Sequence, residues 1–161
     1  MDREIKFRGQ RIDTKEWVYG YYVRYEHMGV IKHIIVTDWA QVYVNSFYVI
    51  SETAGQFTGL KDKNGKEIYE GDIVKWGDHL CQKKSNCETV QVVWSGGAFC
   101  IKDKKGTLHE FFHYFSHQWN NMPYADEDEP MDIVQYFRNA FEVIGDIYTN
   151  PKLLEERQPN E

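Results

Sequence analysis

TGLKDKNGKEIYEGDIVKW, Thr58 to Trp76, is the stretch whose reading decides the fold. Turn residues stand where turns need them, and apolar residues stand between. In Asp62-Lys63-Asn64-Gly65, Asn and Gly reach positive φ at little cost. The pair Asn64-Gly65 therefore suits the centre of a type I′ hairpin or the left-handed end of a longer one. Asp62 is placed to accept a hydrogen bond from the backbone N–H two residues on. Ile68 and Tyr69 prefer extended backbone. Glu70-Gly71-Asp72 forms a second turn, with Gly71 the expected left-handed residue. Ile73 to Trp76 leaves it as a strand. Read as a phosphate cradle, Gly65 and Gly71 match no P-loop or dinucleotide spacing, and no helix pattern follows. Asn64, Gly65, Gly71 and Asp72 are structural turn residues.

Working outward, the flanks read as strands too. Ile5 to Arg8 alternates apolar and polar side chains, as a half-buried strand does. Glu16 to Arg24 is aromatic and β-branched, and Gly20 within it signals a bulge or a close approach of backbone. Val30 to Thr37 is a third run. Trp39 to Ile50 holds two short β-like runs broken at Asn45-Ser46, and Ser51 to Ala54 is a turn. Beyond the central stretch, strands are expected at 89–94, 98–102, 107–112 and 142–148. The turns between them lie at Ser95-Gly96-Gly97 and Asp103 to Gly106. Met131 to Phe141 has near-helical apolar spacing behind Pro130, which favours a short amphipathic helix.

Short strands at this spacing predict a mainly β protein with minor α. The expected architecture is an N-terminal β-meander over 1–55 and an SH3-like small barrel over 56–150. A loop and short C-terminal helix, within 113–141, are inserted before the last strand, and 151–161 is a tail.

GQFTGLKDKNGKEIYEGDIV resembles the signature of the YopX family, small proteins encoded mostly by bacteriophages and prophages. Three further pieces agree: IKFRG followed by EWVYGYY, the turn SETAGQ, and the ending FEVIGDIYTNPKLLEE. Residues 81–132 match nothing recognisable. The family brings no established activity, so the resemblance implies a phage or prophage context and not a mechanism.

Bulk properties narrow the classes. A chain of 161 residues is long enough to bury a core without staples. Its charged opening has no apolar h-region, so no signal peptide is expected, and no run approaches a membrane span. Three cysteines fit a reducing cytoplasm. The net charge of −6 is uneven. Residues 107–161 hold three basic side chains against eleven acidic ones, whereas 61–106 hold nine against seven. An acidic last third opposes unspecific duplex binding. The aromatic content of 16% is high and points to a β-rich core, with an aromatic contact surface as the second use.

Chemistry-bearing constellations are few. His79, Cys81 and Cys87 are the only weak metal candidates, and they lack the paired spacing of structural zinc. His109, His113 and His117 recur every four residues without an H-E-x-x-H pattern, and packing or surface roles suit them. The acidic run at 126–129 reads as a solvated loop. No nucleophile elbow occurs, and Cys100, on an apolar strand, is expected to be buried. The chain is therefore read as a non-enzyme with no catalytic residue and no cofactor. It would bind an unknown protein partner or itself in the cytoplasm of a bacterial host. The alternative is single-stranded nucleic acid held by lysine-rich turns beside exposed rings. The candidate surface for that is Lys61, Lys63, Trp76, Trp94, Lys102, Lys104 and Lys105.

Overall fold

The computed structural model describes residues 4–41, 45–76, 88–110 and 141–155. It contains eleven strands among those residues, in two antiparallel sheets. The chain divides into two compact units, 1–59 and 60–161.

The first unit is built from β1 (Phe7–Gln10), β2 (Trp17–His27), β3 (Val30–Val36), β4 (Ser46–Tyr48) and most of β5 (Gly55–Lys61). Neighbouring strands in sequence pair as in a meander, β1 with β2, β2 with β3, and β3 with β4. β5 then returns to the free side of β1, setting Phe7 opposite Gln56. A bridge between Arg11 and Val49 ties the end of β1 to the residue that follows β4. Ile35, Val36, Val49 and Phe57 are buried. Thr53, in a single 3-10 turn, accepts the Gln10 N–H at 2.9 Å and donates to the Ile50 carbonyl at 2.7 Å. That short turn stands where the sequence predicts one.

Gly20 fulfils the reading of a close backbone approach. A Cβ at this position would lie 2.2 Å from the Val36 carbonyl oxygen, well inside any allowed contact. β2 runs three residues past its predicted end at Arg24. The reason is the turn: Met28 and Gly29 take φ of 50° and 75°. That is a two-residue hairpin with both central residues at positive φ, whose twist matches its strands. Extension up to His27, opposite Val30, follows from so tight a connection.

In the second unit, the end of β5 leads through the Asp62 turn to β6 (Glu67–Tyr69), its neighbour in the sheet order β4-β3-β2-β1-β5-β6. The other sheet runs β10-β9-β8-β7-β11. Its strands are β7 (Asp72–Trp76), β8 (Glu88–Ser95), β9 (Ala98–Lys102), β10 (Leu108–Glu110) and β11 (Phe141–Asp146). β11 returns antiparallel to β7, with Phe141 opposite Trp76. Ile68, Val74, Val90, Val92, Ile101, Phe141 and Val143 form one buried cluster, with Leu60 and Phe99 packed against it. Each such side chain contributes about 1.5–3 kcal/mol through removal from water.

The coarse expectation, mainly β and antiparallel, is what the molecule has. Two details differ. Phe141, expected to end the helix, instead opens β11 and is buried in the cluster. The other residues of that helix, 131–140, lie outside the described residues, as do 111 and 112 of the expected 107–112 strand. The closing segment at Pro151–Leu154, at the start of the expected tail, is a 3-10 turn.

Candidate functional site

The central turns fold as their residues require. Asp62 is buried, and its carboxylate accepts three backbone N–H groups. Asn64 donates to Oδ1 at 2.8 Å and Lys66 at 2.9 Å. The third donor is Val143, at 3.0 Å to Oδ2. Gly65 takes φ +81° while Asn64 stays at negative φ, which selects the longer hairpin over the type I′ alternative. Gly71 takes φ +83°, and its N–H and carbonyl bond to the Val92 carbonyl and the Ile147 N–H. Asp72, also buried, accepts the Tyr69 N–H at 2.7 Å. Asp62, Gly71 and Asp72 thus hold backbone together, and β11 is tied to the Asp62 turn by a side chain 81 positions away.

The predicted basic surface is only partly assembled. Lys63 reaches the Glu142 carboxylate at 2.6 Å, so its charge is matched locally. Lys102, Lys104 and Lys105 are all exposed at the β9–β10 turn. Asp103 organises that turn by accepting the Lys105 and Thr107 N–H groups, each at 2.8 Å. Burial raises the Asp103 pKa, but those bonds and the nearby His109 outweigh it and hold the carboxyl below its ordinary value. Lys102 sits opposite Gln91 and Trp94 opposite Phe99. Trp94 is therefore displaced along β8 away from the lysine turn, while Trp76, opposite Glu88, lies toward it. The Trp94 ring is half exposed and packs edge-on against Phe99 at 4.8 Å. Lys61 is exposed at the end of β5.

His79, Cys81 and Cys87 lie outside the described residues, as do Lys83, Lys84, His113 and His117. His109 is 3.8 Å from Asp103. Cys100 is buried, as its apolar strand predicts. Among the described residues no group of three or more His, Cys, Asp or Glu is placed to hold a metal. No described helix is long and apolar enough to cross a membrane.

A surface that sequence reasoning passed over lies in the first unit. Tyr21, Tyr25, Trp39 and Tyr48 are exposed, and Met28, at the hairpin tip, is 90% exposed with Val30 and Ile31 beside it. Tyr21 packs against Trp39 at 5.7 Å, and the Tyr25 and Tyr48 hydroxyls meet at 3.3 Å. Lys32 stands over the Tyr48 ring at 5.7 Å, Lys6 over Tyr19 at 5.9 Å and Arg8 over Trp17 at 4.4 Å. The available signal was Met28-Gly29 between two β-rich runs, a two-residue hairpin connection. Alternation of side chains marks two faces on β2 but does not say which one meets water.

The described residues form a mainly β protein with two antiparallel sheets, its exposed features including rings, an apolar tip and a lysine turn. The chain belongs to the YopX family: the model of that family, described as YopX protein, matches residues 6–155. Among solved structures, it is similar to the crystal structure of protein EF1440 from Enterococcus faecalis, at 22% identity and a TM-score of 0.43. That likeness covers 94% of this chain and 98% of the other. No curated protein matches the chain.

Proposed function

We propose that this chain is a non-enzymatic accessory protein of a phage or prophage, acting in the bacterial cytoplasm by binding a protein partner or assembling with itself. The observation that carries the reading is the exposed apolar end of the β2–β3 hairpin. Met28, Val30 and Ile31 are each exposed there, on the turn and on both faces of the ribbon. Among the described residues, the hairpin beyond Arg24 and His33 is a two-stranded ribbon: β1 pairs only with residues 17–20 and β4 only with residues 34–36. A ribbon of two strands is marginally stable by itself in water, and an apolar patch that stays uncovered marks an interaction site. In this reading the second unit is an SH3-like small barrel, supported by the return of β11 to β7.

The test is recovery of partners from induced host cells by the wild type and by Met28→Ser/Ile31→Ser, with light scattering on the purified chain. A protein recovered by the wild type and lost with the variant supports the reading, as does self-association lost with it. A variant that behaves as wild type in both assays overturns it.

The second reading, single-stranded nucleic acid, rests on the three exposed lysines of the β9–β10 turn. It predicts micromolar or tighter binding at physiological salt, with a log–log salt slope of about −0.7 per phosphate contact. Changing Lys102, Lys104 and Lys105 to Gln would flatten that slope. The acidic last third weighs against it, and fluorescence anisotropy with labelled oligonucleotides separates the two readings. Tight binding lost in the triple variant would replace the protein-partner reading.

A further inference from the structure

The β2–β3 ribbon has an open edge with a definite hydrogen-bonding phase. His27 and Val30 flank the two-residue turn and face each other. In such a hairpin these flanking residues form the hydrogen-bonded pair, and the pattern then alternates. Tyr25, opposite Lys32, therefore also directs its N–H and carbonyl toward β3. Arg24 and Glu26 direct theirs the other way, to the side on which β1 would lie. Strand pairing with β1 stops at Gly20, so among the described residues no strand covers that edge beside Arg24 and Glu26. Both side chains are exposed, and neither makes a salt bridge with a described residue.

We infer that this edge is where a second copy of the chain docks, β2 against β2, antiparallel about a two-fold axis at Tyr25. The inference rests on the self-assembling form of the reading above. Two-fold symmetry sets each residue opposite its mirror position in the count. With Tyr25 on the axis, Arg24 of one copy meets Glu26 of the other, and the relation repeats in reverse. On either side of Tyr25, the two residues whose backbone groups point outward are therefore also the two whose charges complement each other across the axis. Two hydrogen-bonded pairs form, each carrying one ion pair, and Tyr25 meets its own copy at the intervening non-hydrogen-bonded position, where side chains come closest. An axis at Arg24 or at Glu26 keeps the hydrogen-bonding phase but sets like charges opposite each other, which disfavours it. The contact is isologous and closes on itself, so it yields a dimer rather than a filament. A strand edge that would otherwise template unlimited pairing is thereby covered.

The full chain and three variants test this by sedimentation equilibrium with light scattering, each checked by its melting curve. The wild type is expected to dimerise reversibly. Glu26→Arg sets two Arg–Arg pairs across the axis, and Arg24→Glu sets two Glu–Glu pairs. Each should weaken the dimer about tenfold or more. The double variant Arg24→Glu/Glu26→Arg restores opposite charges and should recover association to near the wild-type level. Recovery in the double variant is a result that simple damage to the fold does not give. A wild type that stays monomeric at about 100 μM overturns the dimer, but leaves capture of a different protein through the apolar tip standing. Association that ignores the single reversals overturns this edge while leaving self-assembly in place. Single reversals that dissociate the dimer without rescue by the double variant overturn the pairing register.

Discussion

At the scale of single residues, the strongest constraints are places where a side chain has no room or a carboxylate has no substitute. Gly20→Ala would drive a methyl into the Val36 carbonyl, 2.2 Å from the ideal Cβ. The first unit should lose about 3 kcal/mol or more, read as a lowered melting temperature. Gly71→Val combines positive φ with a Tyr148 ring carbon 3.0 Å from the new Cβ. Strain of about 1–3 kcal/mol is expected for the backbone alone, and an unchanged melt would remove the assignment of this turn. Asp62→Ala leaves the Asn64, Lys66 and Val143 N–H groups without their acceptor. Since Val143 lies in β11, the loss should also loosen that strand against β7. Hydrogen exchange at Val143 should rise more than at Val92, which sits between β7 and β9.

At the scale of an element, the β9–β10 turn links charge to pH. The Asp103 carboxyl sits below its ordinary value in the folded chain: burial pushes it up, and the N–H groups of Thr107 and Lys105 more than offset that. A depressed carboxylate contributes stability that is present above its unfolded value, about 3.9. That contribution is lost as pH falls through the lower folded value. Asp103→Asn should therefore destabilise the second unit at pH 6 and make progressively less difference toward pH 3. Denaturant midpoints at the two pH values measure this. A gap between wild type and variant that is the same at both would show that the carboxylate charge is not what holds the turn.

For the whole molecule, folding rests on two buried apolar sets and on antiparallel pairing. Prolonged dialysis against EDTA should accordingly leave the far-UV spectrum and the melt unchanged. Cooperative loss of structure restored by zinc would assign a structural role to His79, Cys81 and Cys87. Phe141→Ala probes the second set directly. Removal of a fully buried ring from the cluster of Ile68, Val74 and Val92 should cost about 3–5 kcal/mol. The sequence by itself determined the turns and the β class, because those depend on local chemistry. Asp62 caps its own neighbours, Gly65 and Gly71 supply positive φ, and Gly20 marks a close approach wherever its partner comes from. Only the tertiary structure decided that β5 returns to β1 and that β7 is the strand β11 meets on its return. Pairing between distant strands depends on which edges are left open once the nearer hairpins have formed. It likewise decided that Lys63 is matched by Glu142, that Trp94 lies away from the lysine turn, and that Tyr21, Tyr25 and Tyr48 face water. A two-residue alternation distinguishes the faces of a strand, but burial belongs to whichever face the rest of the chain covers.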